Sequence, residues 1–238
     1  MDGQDLSCIM TVLRGKFGGP ILEKMGKEVR VVCFDLGGVI LEIRHSWNEV
    51  CANLGLSAPA QGHPLTSFQP FVDYQAGSID TDEYLAALGA WLGVSEARAK
   101  AAHQGILIGD YPGAQELVRA LNASGAFTCC FSNTNDLHWP VLCDPARHPA
   151  IGALQRRLAS HELGCAKPDP AAYKAVEGLL PANSGIVFFD DSTENVEAAC
   201  QAGWDAYRID PSNDPLRQLW ERLDILELVD LQSIARRH

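Results

Sequence analysis

The sequence predicts an α/β fold, a Rossmann-like parallel sheet carrying a small inserted α-helical cap. Three observations predict it. Short apolar runs at 29–34, 126–131 and 185–189 lack the polar alternation of a half-exposed strand. That is the pattern of parallel strands buried on both faces. Amphipathic segments at helical spacing lie between the later runs, and strands alternating with helices imply a parallel sheet. The segment 45–108 breaks the alternation, because its apolar residues recur only every three to four positions.

The first strand, 29–34, stops at Asp35 and the pair Gly37-Gly38, which marks a tight turn. It is expected at the centre of the sheet. In 45–108, Trp47, Val50, Cys51 and Leu54 form one apolar stripe. Tyr84, Leu85, Leu88, Trp91 and Leu92 form another, and both read as amphipathic helices. Ser78 to Glu83 supplies N-cap residues and an acidic first turn. No strand is expected in this segment. Helix 113–122 buries Leu117, Val118 and Leu121 and ends at Gly125. Strand 126–131 follows, and 137–159 reads as irregular, then helical. Pro170 opens a helix over 170–180. After strand 185–189 comes helix 195–202, closed by Gly203, and a last short strand over 205–209. The expected division is a core of 29–44 and 109–238, a helical cap of 45–108, and an N-terminal extension of 1–28. The extension's run Gly15-Lys16-Phe17-Gly18-Gly19-Pro20 does not form a secretory leader.

The chain has 238 residues, enough for a substantial core. Its net charge of −11 argues against nucleic-acid or anionic-membrane partners, which need a basic footprint. Any phosphate site would therefore need local positive charge, which a metal cation and Lys167 could supply. No stretch approaches the roughly 20 apolar residues of a membrane span. The eight cysteines form no Cys-x-x-Cys pair. With neither a disulfide framework nor a zinc site, a cytoplasmic location is expected.

Four separated segments carry chemistry. Asp35 closes a buried strand, where a carboxylate serves either as a turn former or as an acyl-phosphate nucleophile. Ser132 and Asn133 follow the second strand and offer a hydroxyl and an amide to phosphate oxygens; such strings also occur as ordinary loop chemistry. Lys167, in Lys167-Pro168-Asp169-Pro170, sits just before a helix and could neutralise both nucleophile and phosphate. Asp190 and Asp191 are adjacent carboxylates after Val187-Phe188-Phe189. They repel unless a cation holds them, and hard oxygen ligands suit Mg2+. One of them could instead cap the following helix, while Ser192, Glu194 and Asn195 could cap it or support the site.

The strings Phe34-Asp35-Leu36-Gly37-Gly38-Val39, Ser132-Asn133-Thr134-Asn135 with Leu137-His138 nearby, and Phe188-Phe189-Asp190-Asp191 resemble the haloacid dehalogenase superfamily of hydrolases. Within it they look like the small-cap sugar-phosphate phosphatases of the α-glucose-1-phosphate phosphatase branch. The resemblance covers roughly residues 29–210. It implies a haloacid dehalogenase-like core and a Mg2+-dependent phosphatase acting on a small phosphorylated metabolite. Asp35 would be the nucleophile. Ser132, Asn133 and Lys167 would bind the phosphoryl group, and Lys167 would also stabilise the nucleophile. Asp35, the carbonyl of Gly37 and Asp191 would hold Mg2+, with Asp190 assisting. Most phosphatases of the superfamily carry a second Asp two residues after the nucleophile as acid and base, and here that residue is Gly37. Such a donor typically contributes about 10²–10⁴-fold. Glu42, Arg44 and His45 follow the turn and are candidates to replace it. Two other readings stand beside the phosphatase: a catalytically weak or inactive binding module, which Gly37 motivates, and a metal-independent dehalogenase, which the Asp190-Asp191 pair disfavours. Within the cap, Phe68, Phe71, Tyr74, Gln75 and Trp91 are candidates for shaping the pocket, although Trp91 reads better as helix core.

Overall fold

The computed structural model describes residues 30–57 and 63–229; the N-terminal extension lies outside them. The strands are β1 (Arg30–Phe34), β2 (Leu41–Ile43), β3 (Leu107–Asp110), β4 (Phe127–Ser132), β5 (Arg156–Ala159), β6 (Gly185–Asp190) and β7 (Asp205–Arg208). Five of them form one sheet in the order β5-β4-β1-β6-β7. Every neighbouring pair is parallel. The expected α/β core is therefore present, with β1 at its centre.

Alternate side chains of β1 feed two apolar clusters. Val32 and Phe34 pack with Leu117, Leu121 and Leu219 on one face. Val31 and Cys33 pack with Tyr173, Val176 and Trp204 on the other. Coverage of both faces is why these runs are apolar without alternation. The chain moves outward from β1 through β4 to β5, then returns to β6 on the other side of β1. The reversal lies between β1 and β6, and ligands in such sheets bind beyond the carboxyl ends of the strands at that point.

Between β2 and β3 lie helices Trp47–Asn53, Gln69–Gln75, Thr81–Leu92 and Glu96–Gln104. They share their own apolar cluster, built on Trp47, Phe68, Phe71, Tyr84 and Leu88. Asp80 caps Thr81–Leu92 by accepting from the Glu83 amide, as the sequence signal implied. Trp91 stacks on Phe68 at 4.6 Å and belongs to this cluster.

Four elements differ from the sequence expectation: β2, β3, β5 and a helix after β7. Residues 107 and 108, expected at the end of a strandless helical segment, lie in β3, which pairs antiparallel with β2. None of the four residues of β3 is fully buried, so no buried apolar run marks it in the sequence. Residues 156–159, expected as helical, form the edge strand β5. Its exposed Arg156 and Arg157 hide the apolar signal. Helix Pro215–Ile225 was not expected at all; Asp214 caps it and Leu216, Leu219 and Leu223 are buried.

None of the described helices is long and apolar enough to cross a membrane. Among the described residues, Cys33, Cys51, Cys129, Cys130, Cys143 and Cys165 form no disulfide.

Candidate active site

The sheet's register assembles the site. Phe34 pairs with Phe189 across β1 and β6, so Asp35 and Asp190 leave adjacent strands at the same level. The Asp35 amide donates to the Phe189 carbonyl at 2.8 Å and fixes that level. On the other side Phe34 pairs with Cys130, which puts Ser132 on the same edge. Ser132 is buried at the end of β4.

Lys167 reaches in from the loop before helix Pro170–Glu177. Its side chain is fully buried, with Nζ 2.6 Å from Asp190 Oδ2 and 3.1 Å from Asp35 Oδ1. The rings of Phe131 and Phe188 flank the ammonium, each centroid 5.2 Å away. Burial pulls the Lys167 ammonium down, but Asp190 and Asp35 outweigh it and hold it above its ordinary value. Lys167 is a permanent cation inside the site.

Asp190 is fully buried and its oxygens are engaged. Oδ1 accepts from the Ser192 amide at 2.9 Å and from Asn195 Nδ2 at 3.0 Å. Oδ2 accepts from Lys167. Ser192, not either aspartate, caps helix Thr193–Gln201. Asn133 uses its side-chain amide on the Lys167 backbone: Nδ2 donates to the Lys167 carbonyl at 2.8 Å, and Oδ1 accepts from the Lys167 amide at 2.9 Å. It therefore ties the β4 loop to the lysine loop.

Carboxylate oxygens of Asp35, Asp190 and Asp191 lie within 4.8 Å of one another. Burial, opposed by Lys167 and reinforced by Asp190 and Asp191, pushes Asp35 up to about 7. Burial and the Asp190 charge push Asp191 up to about 6. Carboxylates so crowded and desolvated stabilise a hard divalent cation. Gly38 shapes the same corner. Its φ is +75°, and a Cβ there would stand 2.7 Å from Asp191 Oδ2. Gly38→Ala is expected to destabilise the protein by about 1–2 kcal/mol through the left-handed backbone. By displacing Asp191 it should also weaken, about tenfold, any divalent cation that this carboxylate cluster holds. Thermal melts and calorimetric titration with Mg2+ check both; unchanged affinity would mean that Asp191 does not depend on the open space at Gly38.

The structure brings Asp35, Lys167 and Asp190 into contact, sets Asp191 within 4.8 Å of the other two carboxylates, places Ser132 on the same edge and puts Gly37 in the turn after β1. It also shows one residue that sequence reasoning did not assign. Arg208, at the end of β7, donates from Nε to the Asp191 carbonyl at 3.1 Å. Gln75, one of the five pocket candidates, donates from Nε2 to the Asn133 carbonyl at 3.0 Å. Phe68, Phe71 and Tyr74 are buried in the helical segment's own core. Arg44, a candidate proton donor, holds the Gly105 carbonyl and Asn53 Oδ1 instead.

Residues 29–203 match the family model of the haloacid dehalogenase-like hydrolases. Phosphatase MT3486 of Mycobacterium tuberculosis is 46% identical over 56 residues, 23% of this chain and 26% of that protein. Enolase-phosphatase E1 of Nocardia farcinica is 26% identical over 155 residues, 57% of this chain and 64% of that protein. The chain thus spans a quarter to just under two thirds of the length of these relatives. A haloacid dehalogenase family enzyme of Bacteroides thetaiotaomicron, solved as a magnesium complex, superposes with a TM-score of 0.65 at 24% identity, covering 79% of this chain and 96% of that one. The L-2-haloacid dehalogenase of Xanthobacter autotrophicus superposes with a TM-score of 0.57 at 18% identity, covering 76% and 77%. At these identities the two structures share the fold.

Proposed function

The chain belongs to the haloacid dehalogenase-like hydrolases, and from that premise we propose that it is a Mg2+-dependent phosphatase of a small phosphorylated metabolite, such as a sugar phosphate. The observation that carries the reading is the set of three carboxylates around a buried lysine. The donor set fits Mg2+, because Asp35, Asp191 and the Gly37 carbonyl are hard oxygen ligands and Gly38 leaves Asp191 room. Asp190 assists through Lys167, Ser192 and Asn195. When bound, the cation neutralises this carboxylate cluster and the charge of the phosphoryl group.

In the proposed reaction Asp35 attacks phosphorus as the carboxylate. The bond to the leaving oxygen breaks and an aspartyl phosphate forms. Lys167 holds the nucleophile's orientation and offsets charge as it develops. Ser132 binds phosphoryl oxygens, and Asn133 serves that site by fixing the lysine loop. Water then attacks the same phosphorus, releasing inorganic phosphate and restoring the Asp35 carboxylate. The helical segment, tied to the loop after β4 by Gln75, acts as the cap. The thiols of Cys33, Cys129 and Cys130, buried in the core without a disulfide, support a reducing compartment such as the cytoplasm.

Residue 37 provides no acid for the leaving group, and Ile43 occupies the adjacent space: a Cβ at Gly37 would lie 2.7 Å from Ile43 Cδ1. Turnover should therefore depend strongly on the leaving group. Phosphate release from an aryl phosphate, sugar phosphates and nucleotides, with Mg2+ and with chelator, tests the reading. Metal-dependent release is expected, with anomeric and aryl esters ahead of plain alkyl esters by about 10²-fold or more. Gly37→Asp combined with Ile43→Ala should narrow that gap. Chelator-insensitive halide release would instead establish the dehalogenase. Metal binding without turnover on any ester would establish a binding module.

A further inference from the structure

A buried polar chain that the reaction does not use joins the helical segment to the loop after β4. Tyr84, on helix Thr81–Leu92, places its hydroxyl 2.8 Å from His103 Nδ1. His103, on helix Glu96–Gln104, places Nε2 2.9 Å from Asn135 Oδ1. His138 returns the link, with Nε2 2.9 Å from the His103 carbonyl. The two imidazoles stack at 3.9 Å. His103 and Asn135 are fully buried and His138 is 4% exposed.

The backbone fixes where the protons lie. The His138 amide donates to Asn135 Oδ1 at 3.1 Å, so that atom is an acceptor. His103 Nε2 must then carry a proton, and Nδ1, with its lone pair free, accepts from the Tyr84 hydroxyl. His138 Nε2 faces a carbonyl and must also carry a proton. Burial, with the His138 ring beside it, pushes His103 well below its ordinary value. Burial holds His138 at about 4. A stack of two neutral rings at this distance avoids the repulsion of buried imidazoliums.

We infer that Tyr84 and His103 are positioning residues: the directed chain Tyr84 to His103 to Asn135 fastens the helical segment to loop 133–138 and, through Asn133, holds the lysine loop in register with Asp35. Gln75 adds a second tie on the Asn133 carbonyl. Ser160 adds a third, donating to the Gln75 carbonyl and accepting from the Thr134 amide. The cap contact and the catalytic lysine are thus mechanically one assembly. Its effect on turnover rests on the phosphatase reading above, whereas the fastening itself does not.

The experiment combines imidazole nitrogen NMR of the full chain, hydrogen exchange of amides 133–138, and turnover of an aryl phosphate. In the wild type both imidazoles should be neutral with the proton on Nε2 at about pH 6. His103→Phe should speed exchange in 133–138 about tenfold. It should lower kcat by a similar factor with KM nearly unchanged, because the loop acts in the transition state. His103→Gln, which keeps a donor near the Nε2 position, should stay near wild type in exchange and kcat. Tyr84→Phe, which removes one hydroxyl and leaves the ring, should reproduce the change more weakly even if His103→Phe does not fold. An imidazolium or an Nδ1 proton on His103 would overturn the inference, as would unchanged exchange in both His103→Phe and Tyr84→Phe. Expected tautomers and exchange in a protein that hydrolyses no phosphate ester would uphold the fastening and overturn the phosphatase reading.

Discussion

Asp35→Asn is expected to abolish phosphate release and to raise the melting temperature of the metal-free protein at neutral pH. The loss should be on the order of 10⁴-fold or more, as for removal of other covalent nucleophiles. Asn retains the shape and the contact to Lys167 but cannot form the acyl phosphate. The gain in stability has the same origin as the activity. Asp35 is desolvated and shares its corner with Asp190 and Asp191, which pushes its carboxyl from 3.8 up to about 7. The folded state therefore binds this proton more tightly than the unfolded chain. The stabilisation from the protonated form is complete below about 4 and is lost as pH rises through about 7. Metal-free wild type should melt progressively lower over that interval, and Asp35→Asn should lack most of the slope. Mg2+ should restore wild-type stability at pH 7 by binding the folded carboxylates, and should do so less well in acid, where protons compete. Thermal melts across pH, with and without Mg2+, check each point. Retention of more than about 1% of turnover in Asp35→Asn would place the nucleophile elsewhere.

Lys167→Met should be the most destabilising single change in the site. Nζ is fully buried, in contact with two carboxylates and flanked by two aromatic rings. Met fills a similar volume, so packing changes little, but Asp190 loses its cation in a water-free pocket. Breaking a buried pair in this way typically costs about 3–5 kcal/mol. The Ser192 amide and Asn195 continue to hold Asp190, which keeps the loss from being larger. Denaturant unfolding at neutral pH measures it. Lys167→Met combined with Asp190→Asn should recover much of the stability without recovering turnover, because the charge is then removed on both sides. A Lys167→Met protein as stable as wild type would mean that the buried ion pair is not what holds the lysine loop.

The central strand and the site's four main side chains were legible in the sequence because both follow from short-range patterns. A run such as 29–34, apolar until it meets Asp35, identifies a strand buried on both faces and its carboxyl end. Parallel hydrogen bonding then forces such ends onto one edge, so Asp35, Ser132 and Asp190 converge once their strands pair. The register alone sets their common level. Gly38 was legible as a turn residue, but its closeness to Asp191 was not, since that contact joins residues from different strands.

What the sequence could not decide was how polar side chains divide their bonds. In sequence Asn133 reads first as ordinary loop chemistry and only by resemblance as a phosphate ligand; the cross-link to Lys167 depends on two loops meeting, from residues 34 positions apart. Tyr84 and His103 lie on amphipathic helices where aromatic residues read as core. Only tertiary packing reveals that His103 turns its polar edge toward Asn135. The strands β2 and β3 stand outside the strand–helix alternation that marked the equally short β7, and exposed Arg156 and Arg157 break the apolar run of β5. Local chemistry and strand periodicity thus determined the fold class and the ends of β1, β4 and β6. Long-range packing decided which groups remain free for a ligand, because each hydrogen bond made within the protein takes a donor or acceptor away from the substrate.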